Sequence, residues 1–202
     1  MTVFSLFSAS VRRWLLVLPL AATAACSSGG GTGSDPEAAA TAQNEQKIQE
    51  ADVTDKQKAD AQFLVQAAGN ALLGVELGKL VQARATLPAL RTYGARLVQG
   101  RLALLADLRA LAQAKSLALP PALGGDAQEA YHDASTQTGT QLDKKAVGLM
   151  LKIQRQDEDA FDDMKDDAYD GDIRGFAAKH YSTVKEQLDA TKEVADAVDN
   201  QP

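Results

Sequence analysis

From Asp55 onward, apolar residues recur three or four positions apart, and no stretch alternates. That spacing places them along one face of a helix and argues against strands. A first helix is predicted over 56–85, with Phe63, Ala67, Gly74, Leu77 and Val81 on one stripe and Leu64, Ala68, Leu72 and Leu73 widening it. Thr86-Leu87-Pro88 breaks the pattern, and proline suits the first turn of a second helix over 88–115. The seam of that helix is Leu90, Gly94, Leu97, Leu104 and Leu108, and Arg101 falls on it. SLALPPALGGD, 116–126, interrupts with two prolines and two glycines. A short helix is predicted over 126–136 and a third long one over 140–169, striped by Leu142, Ala146, Met150, Ile153, Phe161 and Met164. Gly171 is its C-cap candidate, and Asp172 is the N-cap candidate of a fourth helix over 173–198. There Ile173, Ala177, His180, Val184, Gln187, Thr191 and Val194 step by three and four.

The expected fold is all-α. Four amphipathic helices form a four-helix bundle over 55–199, and the long link 113–138 between helices two and three fits a crossover of ferritin-like topology. A domain of this size can bury a core unaided. Residues 26–54 are rich in Gly, Ser, Ala, Gln and Glu, with few large apolar side chains, and are expected to be a flexible tether. At full stretch it reaches ~90 Å.

The first 25 residues change the picture of where the domain works. Arg12 and Arg13 precede an apolar run from Trp14 to Ala25. The run is shorter than the ~20 residues a spanning helix needs, so it is expected to be a signal peptide. Thr23-Ala24-Ala25-Cys26 resembles the bacterial lipoprotein box, with Thr23 where leucine is usual. Cys26 is the chain's only cysteine and has no disulfide partner. Its thiol is the expected attachment point for a diacylglyceryl group, with a further acyl chain such as palmitate on the new N-terminus. The competing outcome is ordinary cleavage near an A-x-A site. Ser27 resembles the pattern sorted to the outer membrane, which implies the inner leaflet, facing the periplasm. Net charge is −6, and loss of residues 1–25, which removes Arg12 and Arg13 and no acid, would leave −8. With 27 acids against 21 bases, no basic surplus exists to displace phosphate counterions, which argues against nucleic acid as a partner, or to grip anionic lipid. A protein partner in the cell envelope is the remaining class; the oligomeric state is open.

GVELGKLVQARA (74–85), YGARLVQGRLALLADL (93–108), QLDKKAVGLMLKIQ (141–154) and IRGFAAKHYSTVKEQLDA (173–190) are similar, in order, to the helices of the secreted bacterial "domain of unknown function 4142" proteins. The resemblance covers roughly 58–198 and implies a ferritin-like bundle. Its departures matter more. Gly100-Arg101 stands where the family has Asp-His, and Gln154 and Gln187 stand at its two other histidine positions. Ala146, Leu142 and Ser182 replace a tyrosine, a phenylalanine and a proline, whereas Glu76 and Asp143 remain. If the family binds metal at those positions, the resemblance implies that this chain does not.

A buried carboxylate needs a partner. Glu76 lies among Leu72, Leu73, Leu77 and Leu80. Its height in the bundle differs from that of Arg101 by ~5 Å, and the lean of helical side chains closes the gap. The expected arrangement is therefore a buried polar cluster of Glu76, Arg101, Gln154 and Gln187 in place of a metal site. Alternatively, Arg101 snorkels to the bundle edge. No metal site or cofactor is expected. Glu129-Ala-Tyr-His132 spells a single E-x-x-H, whereas a carboxylate di-iron bundle needs two such pairs and two more glutamates. His180 reads as a core or rim residue. The acidic run DEDAFDDMKDDAYDGD, 157–172, lacks EF-hand spacing and reads as a solvated face. No nucleophile–base pair, phosphate loop, dinucleotide fingerprint or C-x-x-C is present. The expectation is a non-enzymatic binding or interaction protein of the envelope; the alternative is metal storage or redox chemistry in a ferritin-like bundle.

Overall fold

The computed structural model describes residues 35–50 and 55–201. The predicted signal peptide and Cys26 lie outside the described residues. Six helices follow in order: α1 (Pro36–Glu50), α2 (Asp55–Arg84), α3 (Pro88–Lys115), α4 (Gly125–Ser135), α5 (Gly139–Asp167) and α6 (Gly171–Asp199). Among the described residues there is no strand, as the periodicity predicts. None of these helices is long and apolar enough to cross a membrane.

The long helices form two antiparallel hairpins, α2–α3 and α5–α6, set side by side through α2 against α5 and α3 against α6. Two glycines let α2 and α3 approach closely. A Cβ on Gly78 would lie 2.9 Å from the Gly94 carbonyl oxygen, and one on Gly94 would lie 2.7 Å from that of Gly78. The apolar interior falls into two clusters. One gathers Leu77, Leu90, Leu142, Met150 and Val198 around the α2–α3 turn. The other gathers Phe63, Leu64, Leu108, Phe161 and Ile173 around the α5–α6 turn.

Each turn is held by the opposite hairpin. Buried Asp143, near the start of α5, accepts from the backbone N–H of Thr86 and of Leu87, each at 3.0 Å, and from the Thr86 hydroxyl. Buried Asp60, near the start of α2, accepts from Tyr169 N–H at 3.1 Å and Asp170 N–H at 2.7 Å. Arg91 donates to the Ala85 carbonyl as Arg174 donates to that of Ala168. One constant displacement along the chain relates Asp60 to Asp143, Ala85 to Ala168 and Arg91 to Arg174. The two hairpins therefore repeat one locking device, each on the other's turn.

Three expectations are corrected. Asp170, not Asp172, is the N-cap of α6: its side chain accepts from Asp172 and Ile173 N–H. Gly171 is the first residue of α6 and not the C-cap of α5. The larger correction concerns the tether, because residues 36–50 form α1, which packs on α2. Ala40, Asn44 and Ile48, four apart, make its buried face. Asn44 pairs twice with the Ala118 backbone, at 2.9 and 2.6 Å, and Lys47 donates to the carbonyls of Lys115 and Ser116 at the end of α3. Polar anchors at 115–118 and the buried Ala40 and Ile48 together hold α1 in place.

Candidate functional site

The residues between the two apolar clusters are polar. On α3, Arg101 interrupts the seam between Leu97 and Leu104; on α5, Gln154 and Asp157 lie between Ile153 and Phe161. Arg101 is fully buried, the largest side chain that is, and its Nη1 is paired with Asp157 Oδ2. Asp157 is 1% exposed and takes a second hydrogen bond, at 2.8 Å, from Asn70 Nδ2 on α2. Gly74 makes room for the guanidinium, since a Cβ there would meet Arg101 Cγ at 3.1 Å and Nε at 3.2 Å. Among the described residues, Arg101 Nε and Nη2 have no hydrogen-bond partner.

A second polar chain runs alongside. Buried Gln154 donates to the Tyr93 hydroxyl at 2.8 Å, the Tyr93 hydroxyl meets Thr191 Oγ1, and Thr191 Oγ1 donates to the Gln187 carbonyl at 2.7 Å. Together the two chains tie α2, α3, α5 and α6 at mid-height.

The expected cluster of Glu76, Arg101, Gln154 and Gln187 is corrected accordingly. Arg101 and Gln154 are in the layer. Glu76 is not: its side chain is 36% exposed and its carboxylate is paired with Lys79, one turn along α2, at 2.7 Å. That exposure satisfies it without a buried partner. Gln187 contributes its backbone carbonyl only; its half-buried side chain lies over Gly100. The partner of Arg101 is Asp157, which the sequence assigns to a solvated acidic face. Asp157, Asn70, Tyr93 and Thr191 are the members that the sequence reasoning missed. The signal for Asp157 was present: it fills the gap in the α5 stripe between Ile153 and Phe161, as Arg101 fills that of α3.

The rest of the acidic run is at the surface, where Lys165 bridges Asp162 at 3.0 Å and Asp166 at 2.5 Å. Those hydrogen bonds raise the lysine's pKa above its usual value. Glu129 and His132 of the E-x-x-H are both exposed on α4. His180 lies at the rim, its side chain 15% exposed and its ring tilted against that of Phe176 with centroids 4.5 Å apart. Burial holds its pKa below the usual imidazole value, and the Lys179 charge adds to this. Among the described residues, no three His, Cys, Asp or Glu side chains are placed to share a metal ion.

A family model described as "Domain of unknown function (DUF4142)" matches residues 45–194. No curated protein and no solved structure matches the chain.

Proposed function

The chain belongs to the domain of unknown function 4142 family, and from that premise we propose that it is a non-enzymatic binding module of the bacterial envelope. Its four long helices are read as a ferritin-like four-helix bundle, with α4 and its flanking links as the crossover between the second and third. The observation that carries the reading is the buried Arg101–Asp157 pair at mid-height. A ferritin-like bundle builds its metal site there, from carboxylates and histidines that face inward. Here a guanidinium takes the space and places positive charge where a cation would sit. The one carboxylate facing it is already committed to Arg101 and Asn70. This arrangement favours a structural centre and moves recognition to the surface.

Metal content tests the reading. Protein purified without chelator is expected to carry iron, copper and manganese far below one ion per chain. Stoichiometric metal that survives Arg101→Met would instead support storage or redox chemistry.

The same proposal places the domain on the inner leaflet of the outer membrane, through lipid on Cys26. With α1 folded onto the domain, ten residues, Cys26 to Asp35, separate the proposed anchor from the first described helix. At full extension that is ~30 Å.

A further inference from the structure

The outward face of α5 carries a polar stripe that the rest of the described fold leaves open. Lys145, Gly148, Lys152, Gln156, Asp159 and Asp163 step along it by three and four, and all are exposed. Asp166, also exposed, continues it.

Two features of this stripe work against the single chain. The first is the order of its charges. Up to Arg155, the exposed charged residues of α5 are Lys144, Lys145, Lys152 and Arg155; beyond it they are Asp159, Asp163, Asp166 and Asp167. The helix dipole favours the opposite order, acids near the N-terminus and bases near the C-terminus. Among the described residues Lys152, Arg155, Asp159 and Asp163 take part in no ion pair, and Lys145 reaches Asp133 only at 3.8 Å. The second feature is Gly148. A glycine inside a helix destabilises it relative to alanine. Gly78 and Gly94 are required by the close approach of α2 and α3, whereas a Cβ on Gly148 would meet nothing within 4 Å.

Both features acquire a reason when a second α5 lies across the first in the opposite direction. Turned about a point between Arg155 and Gln156, the stripe meets itself with its charges inverted. Lys152 then faces Asp159, and Lys145 faces Asp163 and Asp166, because the members of each pair lie at nearly equal distances on either side of that point. Gln156 meets its own copy near the axis, as donor and acceptor at once. Gly148 lets the two backbones close in. Steps of three and four make the seam along which paired helices meet. A contact that uses one patch twice is complete with two chains.

We propose that α5 pairs antiparallel with α5 of a second copy, making the protein a two-fold dimer through this charged stripe. The inference goes beyond the binding-module reading and does not need it. The stripe has no large apolar member, and exposed ion pairs are individually weak. The dimer is therefore concentration-dependent and sensitive to salt. The net charge of −6 on each copy opposes approach from a distance. Pairing is best observed at ~0.1 M salt, where a Debye length of ~10 Å screens distant charges more than touching ones.

Sedimentation velocity of the purified full-length protein in a non-ionic detergent, over a concentration series, tests it. A dimer fraction that grows with concentration and is lost at ~1 M salt, where the Debye length is ~3 Å, is expected. Lys145→Glu with Lys152→Glu should abolish it, and so should Asp159→Lys with Asp163→Lys. An equimolar mixture of these two double variants should dimerise again, since each then carries the charges the other lacks. Gly148→Gln, which meets nothing in the single chain, should weaken the dimer severalfold. In a Cys26→Ser background, Gln156→Cys should cross-link rapidly on mild oxidation, and Gln113→Cys, exposed on α3, should not. Circular dichroism checks that each variant is folded. A monomer at every concentration overturns the proposal. So does association that either double variant leaves intact, a mixture that stays monomeric, or equal cross-linking through both cysteines. None of these outcomes bears on metal content, so the account of the bundle centre is tested separately.

Discussion

Arg101 and Asp157 illustrate what one residue's position can reveal. Both interrupt apolar stripes that resume one turn later, and a charged residue in such a gap faces the core whatever its chemistry. Applied to α3, that rule identifies Arg101 as buried. On α5 the same rule was masked by the company Asp157 keeps: the sequence around it is acidic, and composition suggests a solvated face. Periodicity outranks composition here, because burial is set by the angle around the helix and not by neighbours in sequence. Glu76 is the converse case. Leucines flank it, yet it lies at the edge of the apolar stripe, where Lys79 and water satisfy it. The energetics follow from the pair. Arg101→Met leaves Asp157 buried with only Asn70 as partner, and should cost ~3–5 kcal/mol in denaturant unfolding. Replacing both, Arg101→Met with Asp157→Leu, should recover most of that loss, because a buried ion pair need not outperform apolar packing. If the single variant unfolds like the wild type, Arg101 is not anchoring the layer.

Helices are the scale at which the sequence was most legible. All four long ones are found within about two residues of their predicted ends, which is the usual uncertainty of a helix boundary. The stripes are long and the breaks between them carry proline, glycine or a capping aspartate. The exception is α1. Its buried face is Ala40, Asn44 and Ile48, a spacing of four with a single large apolar side chain, so no stripe is visible. It is anchored by backbone partners on the 115–125 link, and sequence does not display backbone partners. The turn locks were equally hidden, because an aspartate that accepts from a distant loop looks like any other aspartate. Asp60→Ala and Asp143→Ala should each destabilise the protein by ~2–3 kcal/mol, since each strands backbone donors that had bonded to a charge; urea melts that match the wild type would rule out the locks. The docking of α1 should also respond to acid. Burial, then the charges of Asp35 and Asp126, holds the Glu37 pKa above its usual 4.5. The docked helix therefore binds this proton better than the free one, so docking is strongest below 4.5 and weakens as pH rises through the docked value. Asp35 acts in the opposite sense. Hydrogen bonds from Gly125 and Glu37 N–H lower its pKa below 3.8, so its contribution is present above 3.8 and fades as pH falls through the docked value. Hydrogen exchange of α1 amides, corrected for the intrinsic pH dependence of exchange, should thus show greatest protection in mild acid. Glu37→Gln should remove the loss on the neutral side and leave the acid side intact.

For the molecule as a whole, the folded α1 alters what an anchor at Cys26 would do. A disordered segment from Cys26 through residue 54 would let the domain search a volume ~90 Å deep. With α1 docked, the domain would stay within ~30 Å of the membrane plane. Charge gives no help in holding it there, since the chain is acidic and the inward-facing lipid surface is not cationic. The anchor would then be the whole of the attachment, which makes its loss easy to read. Wild-type protein should incorporate a palmitate analogue, sediment with membranes and resist a high-salt wash. Cys26→Ser should lose the label and appear in the soluble fraction at every ionic strength. A Cys26→Ser protein that still sediments at low salt and is released at high salt would point to a basic or protein docking partner on the membrane. A protein that stays bound in both conditions would point to apolar insertion by some other segment, and the single-anchor account would have to be abandoned.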